Sequence, residues 1–192
     1  MDVVTVFASP RMDGNTDRIL GWVERDLREG RHTVERIHLN PLDIKDCTAC
    51  LACAESADAP GCVLQDDVPM IFERILAADA IAFASPLYMW GVTAPLKALY
   101  DRSLCLVRGW GTPEHRSFIT GKRTAQIICC AGGADANTEP VATSFSRLAV
   151  FLKAEDLGTF VFPNCTEPSQ LPNLHGRKAR ELAERLVESS SA

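Results

Sequence analysis

The chain has 192 residues, 46% of them apolar and 23% charged, with a formal charge of −5; that suffices for one core of ordinary size and is short for two, so a single domain over residues 1–192 is expected. The acidic balance gives no basic surface for nucleic acid. The longest weakly polar stretch, Ala80 to Leu96, contains Pro86, Gly91 and Pro95, which argues against a membrane span.

Val3–Ala8 reads as a first strand. It is too short and too soon broken by Pro10 to act as an export signal, so a cytoplasmic location with reduced cysteines is expected. Ile19, Leu20, Val23 and Leu27 then recur at helical spacing as far as Gly30. A second strand is predicted at Thr33–Leu39 and a helix near Val68–Ala77. Strand Ala80–Ala84 precedes a helix with Val92, Leu96, Leu99 and Ser103 on one face. Strand Thr124–Ala131 precedes one carrying Val141, Phe145, Leu148, Ala149 and Leu152. Thr159–Phe162 and a helix near His175–Val187 complete the series, and the SSSA tail reads as frayed. Five strands alternating with five helices predict an α/β fold with a doubly wound, five-stranded parallel sheet. One connection is anomalous: about 27 residues, Asn40 to Asp66, lie where 2–6 are usual. This is a cysteine-bearing insertion after the second strand.

In a parallel sheet every strand-to-helix loop emerges at the C-terminal edge, where open α/β sheets bind ligands. The first such loop is SPRMDGNT, residues 9 to 16. Its backbone amides lead into a partly positive helix start, and Ser9, Asn15 and Thr16 add donors, with Arg11 available to neutralise an anion. These are the parts of a phosphate cradle; the plainer reading makes Asn15 or Thr16 a helix cap. Neither a dinucleotide fingerprint nor a Walker motif is present. The next loop, SPLYMWG, puts Tyr88, Met89 and Trp90 at the same sheet edge, where a flat ring could lie against them. The loop after the fourth strand holds Ala131, Gly132 and Gly133, small enough for a ligand to approach the backbone closely.

The pattern SPRxxGNT, matched by Ser9, Pro10, Arg11, Gly14, Asn15 and Thr16, resembles the first loop of the flavodoxin-like NAD(P)H-dependent FMN reductases. Asp66 to Arg102, with its SPxY, a spaced lysine and a terminal DR, is similar to that family's central segment. The resemblance implies a flavodoxin-like fold, FMN as cofactor and NAD(P)H as co-substrate. It assigns Ser9, Arg11, Asn15 and Thr16 to the FMN phosphate. Pro86, Leu87, Tyr88, Met89 and Trp90 would line the isoalloxazine and ribityl side, and Ala131, Gly132 and Gly133 would flank the ring. Asp101 and Arg102 read either as a dimer surface or, more plainly, as a solvated ion pair.

Cys47, Cys50, Cys53 and Cys62, half of the chain's eight cysteines, fall within 16 residues. CTACLAC places a cysteine at every third position, and Cys62 offers a fourth ligand, a set suited first to a 4Fe-4S cluster, second to structural zinc and third to disulfides. The loop resembles that of a branch called iron-sulfur flavoproteins. Here eight residues separate Cys53 from Cys62, and Ala49 stands where that branch commonly has glycine, so iron-sulfur, zinc and an empty thiol loop stay open. Cys105, Cys129, Cys130 and Cys165 lie in apolar surroundings and read as structural.

The expected activity is an FMN-dependent oxidoreductase that moves electrons from NAD(P)H to a small acceptor such as a quinone or flavin. The cofactor carries the chemistry, so no catalytic side chain is assigned. The alternative is an electron carrier between redox protein partners through FMN and a 4Fe-4S cluster. A third reading is a flavin-free binding module with a zinc-stapled loop. A homodimer or homotetramer is expected, because the apolar loop Leu87 to Gly91 would leave one flavin face open in a monomer.

Overall fold

The computed structural model describes residues 1–54 and 59–188; the SSSA tail and part of the stretch between Cys53 and Cys62 lie outside them. In chain order the elements are β1 Asp2–Phe7, α1 Asn15–Glu29, β2 Thr33–His38, α2 Val68–Ala77, β3 Ala80–Pro86, α3 Ala94–Arg102, β4 Val107–Arg108, β5 Arg116–Ser117, β6 Arg123–Cys129, α4 Glu139–Phe151, β7 Glu155–Phe162 and α5 Asn173–Val187. Five strands form one parallel sheet in the order β2-β1-β3-β6-β7, while β4 and β5 make a separate small antiparallel pair. This is the flavodoxin-like arrangement expected from the sequence. The chain begins at β1, steps outward to β2 and then crosses back to β3, so the order reverses between β1 and β3. In open α/β sheets such a reversal is where ligands bind, beyond the C-terminal strand ends.

The strands are apolar almost throughout because helices cover both faces of the sheet. Val3 and Phe7 of β1 join Ile19, Leu20 and Val23 of α1 and Leu182 and Leu186 of α5 in one layer. Val4, Val6 and Ala8 point the other way, toward Ile71 and Ile75 of α2, Leu96 and Leu99 of α3 and Phe145 of α4. Thr5 interrupts the first face, but its hydroxyl donates to the Glu24 carboxylate at 2.6 Å, which also accepts from Arg36 Nε at 2.7 Å. The buried polar group is thereby satisfied.

Most strand boundaries differ from the sequence reading by one or two residues, and a few features differ more. The strand predicted from Thr159 starts at Glu155; Gly158, at φ 95°, forms an irregularity opposite Thr124 to Gln126 that breaks the alternation. The third helix begins at Ala94, with a proline in its first turn, so Val92 precedes it, and Ser103 opens a 3-10 turn through Leu106. The β4–β5 pair has only two residues per strand, too few for any periodicity to register. No helix among the described residues is long and apolar enough to cross a membrane.

Candidate functional site

Hydrogen bonds draw the loops after β1, β3, β6 and β7 together at the C-terminal edge. Thr93, just before α3, donates its hydroxyl to the Ala8 carbonyl at 2.8 Å, and its N–H reaches Ser85 Oγ at 3.1 Å. Leu87 N–H donates to Cys129 O at 2.8 Å, Cys165 N–H to Cys130 O at 2.9 Å and Asn164 N–H to Gly132 O at 3.1 Å. Asn15 closes the circuit through its side-chain amide, which donates to Cys165 O at 2.8 Å. Four sequence-distant loops thus form one platform.

Within the first loop, the Ser9 hydroxyl and the Arg11 backbone bond one another, tightening the turn. Gly14 precedes α1 in extended backbone, and a side chain there would press on the Arg11 carbonyl at 3.3 Å. Among the described residues no side chain caps α1. The plainer reading of Asn15 and Thr16 as caps therefore fails: both lie inside the helix, buried, with Asn15 on Cys165 and Thr16 against the Cys129 thiol. The first-turn amides are left without a side-chain cap, the kind of helix start at which anions bind. Asn15 Oδ1 is buried without a partner among the described residues, while Arg11 is exposed.

Tyr88 and Gly91 exchange two backbone hydrogen bonds of 2.9 Å. Between them Met89 and Trp90 stand at φ 46° and φ 61°, the left-handed pair that a type I′ turn requires and that favours Asn-Gly. Two bulky residues held in that conformation are strained, and such strain gathers at ligand sites. All three large side chains are exposed, Met89 by 84%. In the neighbouring loop after β6, a methyl group built on Gly132 would come no nearer than 3.6 Å to the described residues, and one on Gly133 would meet none of them within 4 Å. The protein's own packing does not require glycine at either position.

The cysteine insertion is zipped at its base. Asp43 N–H donates to Asp67 Oδ2 at 2.8 Å, Asp67 N–H to Asp43 O at 2.9 Å and Lys45 N–H to Asp66 Oδ2 at 3.0 Å. Beyond that base, Cys47, Cys50, Cys53 and Cys62 line one small cavity together with Arg102 and Cys105. Ala49 and Leu51 are left-handed, at φ 53° and φ 59°. Left-handed residues alternating along a loop are the backbone pattern of the nests that hold phosphates and iron-sulfur clusters. This also explains why glycine suits the position of Ala49. The Ala52 N–H and then the Thr48 hydroxyl hold the Cys50 thiol below its ordinary pKa, whereas burial and nearby Cys62 raise that of Cys53. Among the described residues, no three potential ligands converge on one point as the ligands of a single ion would.

Arg102 corrects the sequence reading. It is neither solvated nor paired with Asp101: adjacent helical residues point in different directions. Asp101 instead meets Lys97 on the surface at 2.7 Å, while Arg102 turns inward to Asp66 at 2.6 Å, with side chains 1% and 0% exposed. Cys105 is likewise more than packing, since it lines the cysteine cavity, and burial among Cys53 and Cys62 pushes its pKa up to about 12. Its only sequence signal was proximity to Arg102. Cys129 and Cys165 touch beneath the first loop; burial raises the former, and the hydrogen bond from Cys129 lowers the latter.

The family model described as NADPH-dependent FMN reductase matches residues 1–167. An iron-sulfur flavoprotein of Methanosarcina thermophila is 35% identical over 108 residues, 56% of this chain and 55% of that protein. One from Archaeoglobus fulgidus is 32% identical over 132 residues, 69% of this chain and 56% of that protein. The chain thus spans about half the length of these curated relatives. In fold it is similar to an NAD(P)H:quinone oxidoreductase from Methanothermobacter marburgensis, with a TM-score of 0.72 and 21% identity over 98% of both chains. Fold, first loop and family model agree: the chain belongs to the NADPH-dependent FMN reductase family.

Proposed function

We propose that the protein is an FMN-dependent oxidoreductase that takes electrons from NAD(P)H and delivers them to a small acceptor such as a quinone or a flavin. The observation that carries this reading is the uncapped start of α1 at the β1–β3 reversal, together with the strained Tyr88–Gly91 turn. FMN, when bound, supplies hydride acceptance and electron release. The chain's own residues bind and orient. The amides of Gly14, Asn15 and Thr16 at the start of α1 receive the terminal phosphate, with Ser9 holding the loop's curvature through the Arg11 N–H and Asn15 tying it to the β7–α5 connection. Arg11 is free to add positive charge. Pro86, Leu87, Tyr88, Met89 and Trp90 supply an apolar wall for the ring, and the bare backbone of Ala131, Gly132 and Gly133 leaves space on the other side. No side chain is assigned proton transfer. FAD fits less well, because the loop ends on a terminal anion rather than a pyrophosphate bridge.

The cysteine loop supports a second element of the proposal. Its left-handed residues Ala49 and Leu51 and the cavity-lining thiols of Cys47, Cys50, Cys53 and Cys62 fit an anionic 4Fe-4S cluster, which would supply one-electron transfer. Two similar proteins carry the name iron-sulfur flavoprotein. A cluster would open the alternative role of electron carrier to a redox protein. Anaerobic purification followed by flavin, iron and sulfide analysis tests both parts. About one FMN per chain with NAD(P)H-driven quinone reduction is expected; a chain without flavin affinity contradicts the reading. Serine at Cys47, Cys50, Cys53 or Cys62 should abolish iron binding and leave FMN in place. Zinc instead of iron would make the loop a structural staple.

A further inference from the structure

The cysteine cavity has one wall that no ligand role explains. Arg102 is buried at the end of α3, and part of its guanidinium is fully engaged: Nη1 donates to Asp66 at 2.6 Å and to the Lys45 carbonyl at 2.9 Å, and Nη2 donates to Asp66 at 3.1 Å. Its Nε–H is buried too, without a hydrogen-bond partner among the described residues. Asp66 has no spare capacity to offer, because its oxygens also accept from the backbone N–H groups of Lys45 and Val68. The other group bearing on the guanidinium is the thiol of Cys62. Arginine cannot shed its proton, and a buried donor without an acceptor is costly. An electron-rich sulfur in the shared cavity would satisfy that donor.

We propose that Arg102 is a positioning residue of the cysteine pocket: clamped by Asp66, it directs its remaining N–H toward the Cys62 thiolate and raises the reduction potential of the cluster that the loop holds. This rests on the iron-sulfur reading above. Reduction adds a negative charge, and both a fixed positive charge and a hydrogen bond to a ligand sulfur favour that added charge. Burial of the pair keeps water from screening the effect.

The test uses the 192-residue chain reconstituted anaerobically with iron and sulfide, with bound FMN as an internal check on folding. Arg102→Lys keeps a charge beside Asp66 but loses the planar fork and Nε. Arg102→Gln combined with Asp66→Asn removes both charges at once, so neither is left buried alone. Both variants should retain FMN and iron. Poised at the wild-type midpoint and followed by electron paramagnetic resonance, the double variant should show a reduced-to-oxidised ratio at least tenfold lower, about 59 mV for a one-electron couple; Arg102→Lys should shift less in the same direction. An unchanged ratio in iron-loaded variants overturns the role of Arg102 and leaves the cluster reading intact. Wild-type protein that takes up no iron overturns the cluster reading, and the inference with it.

Discussion

At Asn15 the two ends of one amide do different work: the NH2 group braces the first loop to Cys165, while Oδ1 is buried and has no partner among the described residues. Asn15→Asp would lose the donor and place a negative charge beside the expected phosphate. FMN affinity should fall at least tenfold, about 1.4 kcal/mol, in a fluorescence titration. Asp66 makes a second residue-scale prediction. Burial alone would raise its pKa, but the bonds from Arg102 and from the Lys45 and Val68 amides outweigh that and hold it below the ordinary 3.8. The stabilisation is therefore present above pH 3.8 and lost as pH falls through the lower folded-state value. Asp66→Asn should flatten this acid limb in urea unfolding. Removing Arg102 alone, as Arg102→Met, should cost about 3–5 kcal/mol by stranding Asp66. Gly109 is a third case: at φ 63°, a Cβ there would sit 2.8 Å from the Glu114 carbonyl oxygen. Gly109→Ala should lower stability by about 1–3 kcal/mol, read as an earlier urea midpoint.

Among the elements, the Tyr88–Gly91 turn has the clearest conflict between stability and function. Replacing its centre, Met89→Asn with Trp90→Gly, gives the type I′ turn its preferred residues. Thermal unfolding of the flavin-free protein should then rise by the equivalent of about 1–2 kcal/mol, while FMN binding weakens through loss of the apolar wall. A parallel loss of stability would show that the turn serves the core rather than a ligand. The same elements show what sequence can reveal. α1 and α2 were legible because their apolar residues repeat at helical spacing, and the long insertion because its length and cysteines are unusual. Three features were not. The left-handed backbone at Met89, Trp90, Ala49 and Leu51 has no marker when the residue is not glycine. The partner of Arg102 lies 36 positions away at Asp66. The inward turn of Asn15 depends on a loop 150 positions distant. Each is fixed by tertiary packing, which local pattern does not carry.

On the scale of the whole molecule, α3 links the two candidate centres. Thr93, just before its start, is bonded to the first loop, and Arg102 at its end is clamped to the cysteine insertion. The nine residues of α3 span about 13 Å at 1.5 Å per residue. Tyr88, Met89 and Trp90 leave an apolar surface in the loop after β3, and we expect a second copy of the chain to cover it. Light scattering should give a dimer or tetramer, and a monomer with full reductase activity would contradict that expectation. The central claim is that the β1–α1 loop holds the phosphate of FMN, and paired titrations with FMN and riboflavin under identical conditions test it most directly. Two hydrogen bonds to a charged group, at about 1.5–3 kcal/mol each, predict that FMN binds at least 100-fold more tightly than riboflavin. Equal affinity for the two, or no affinity for either, would contradict the account.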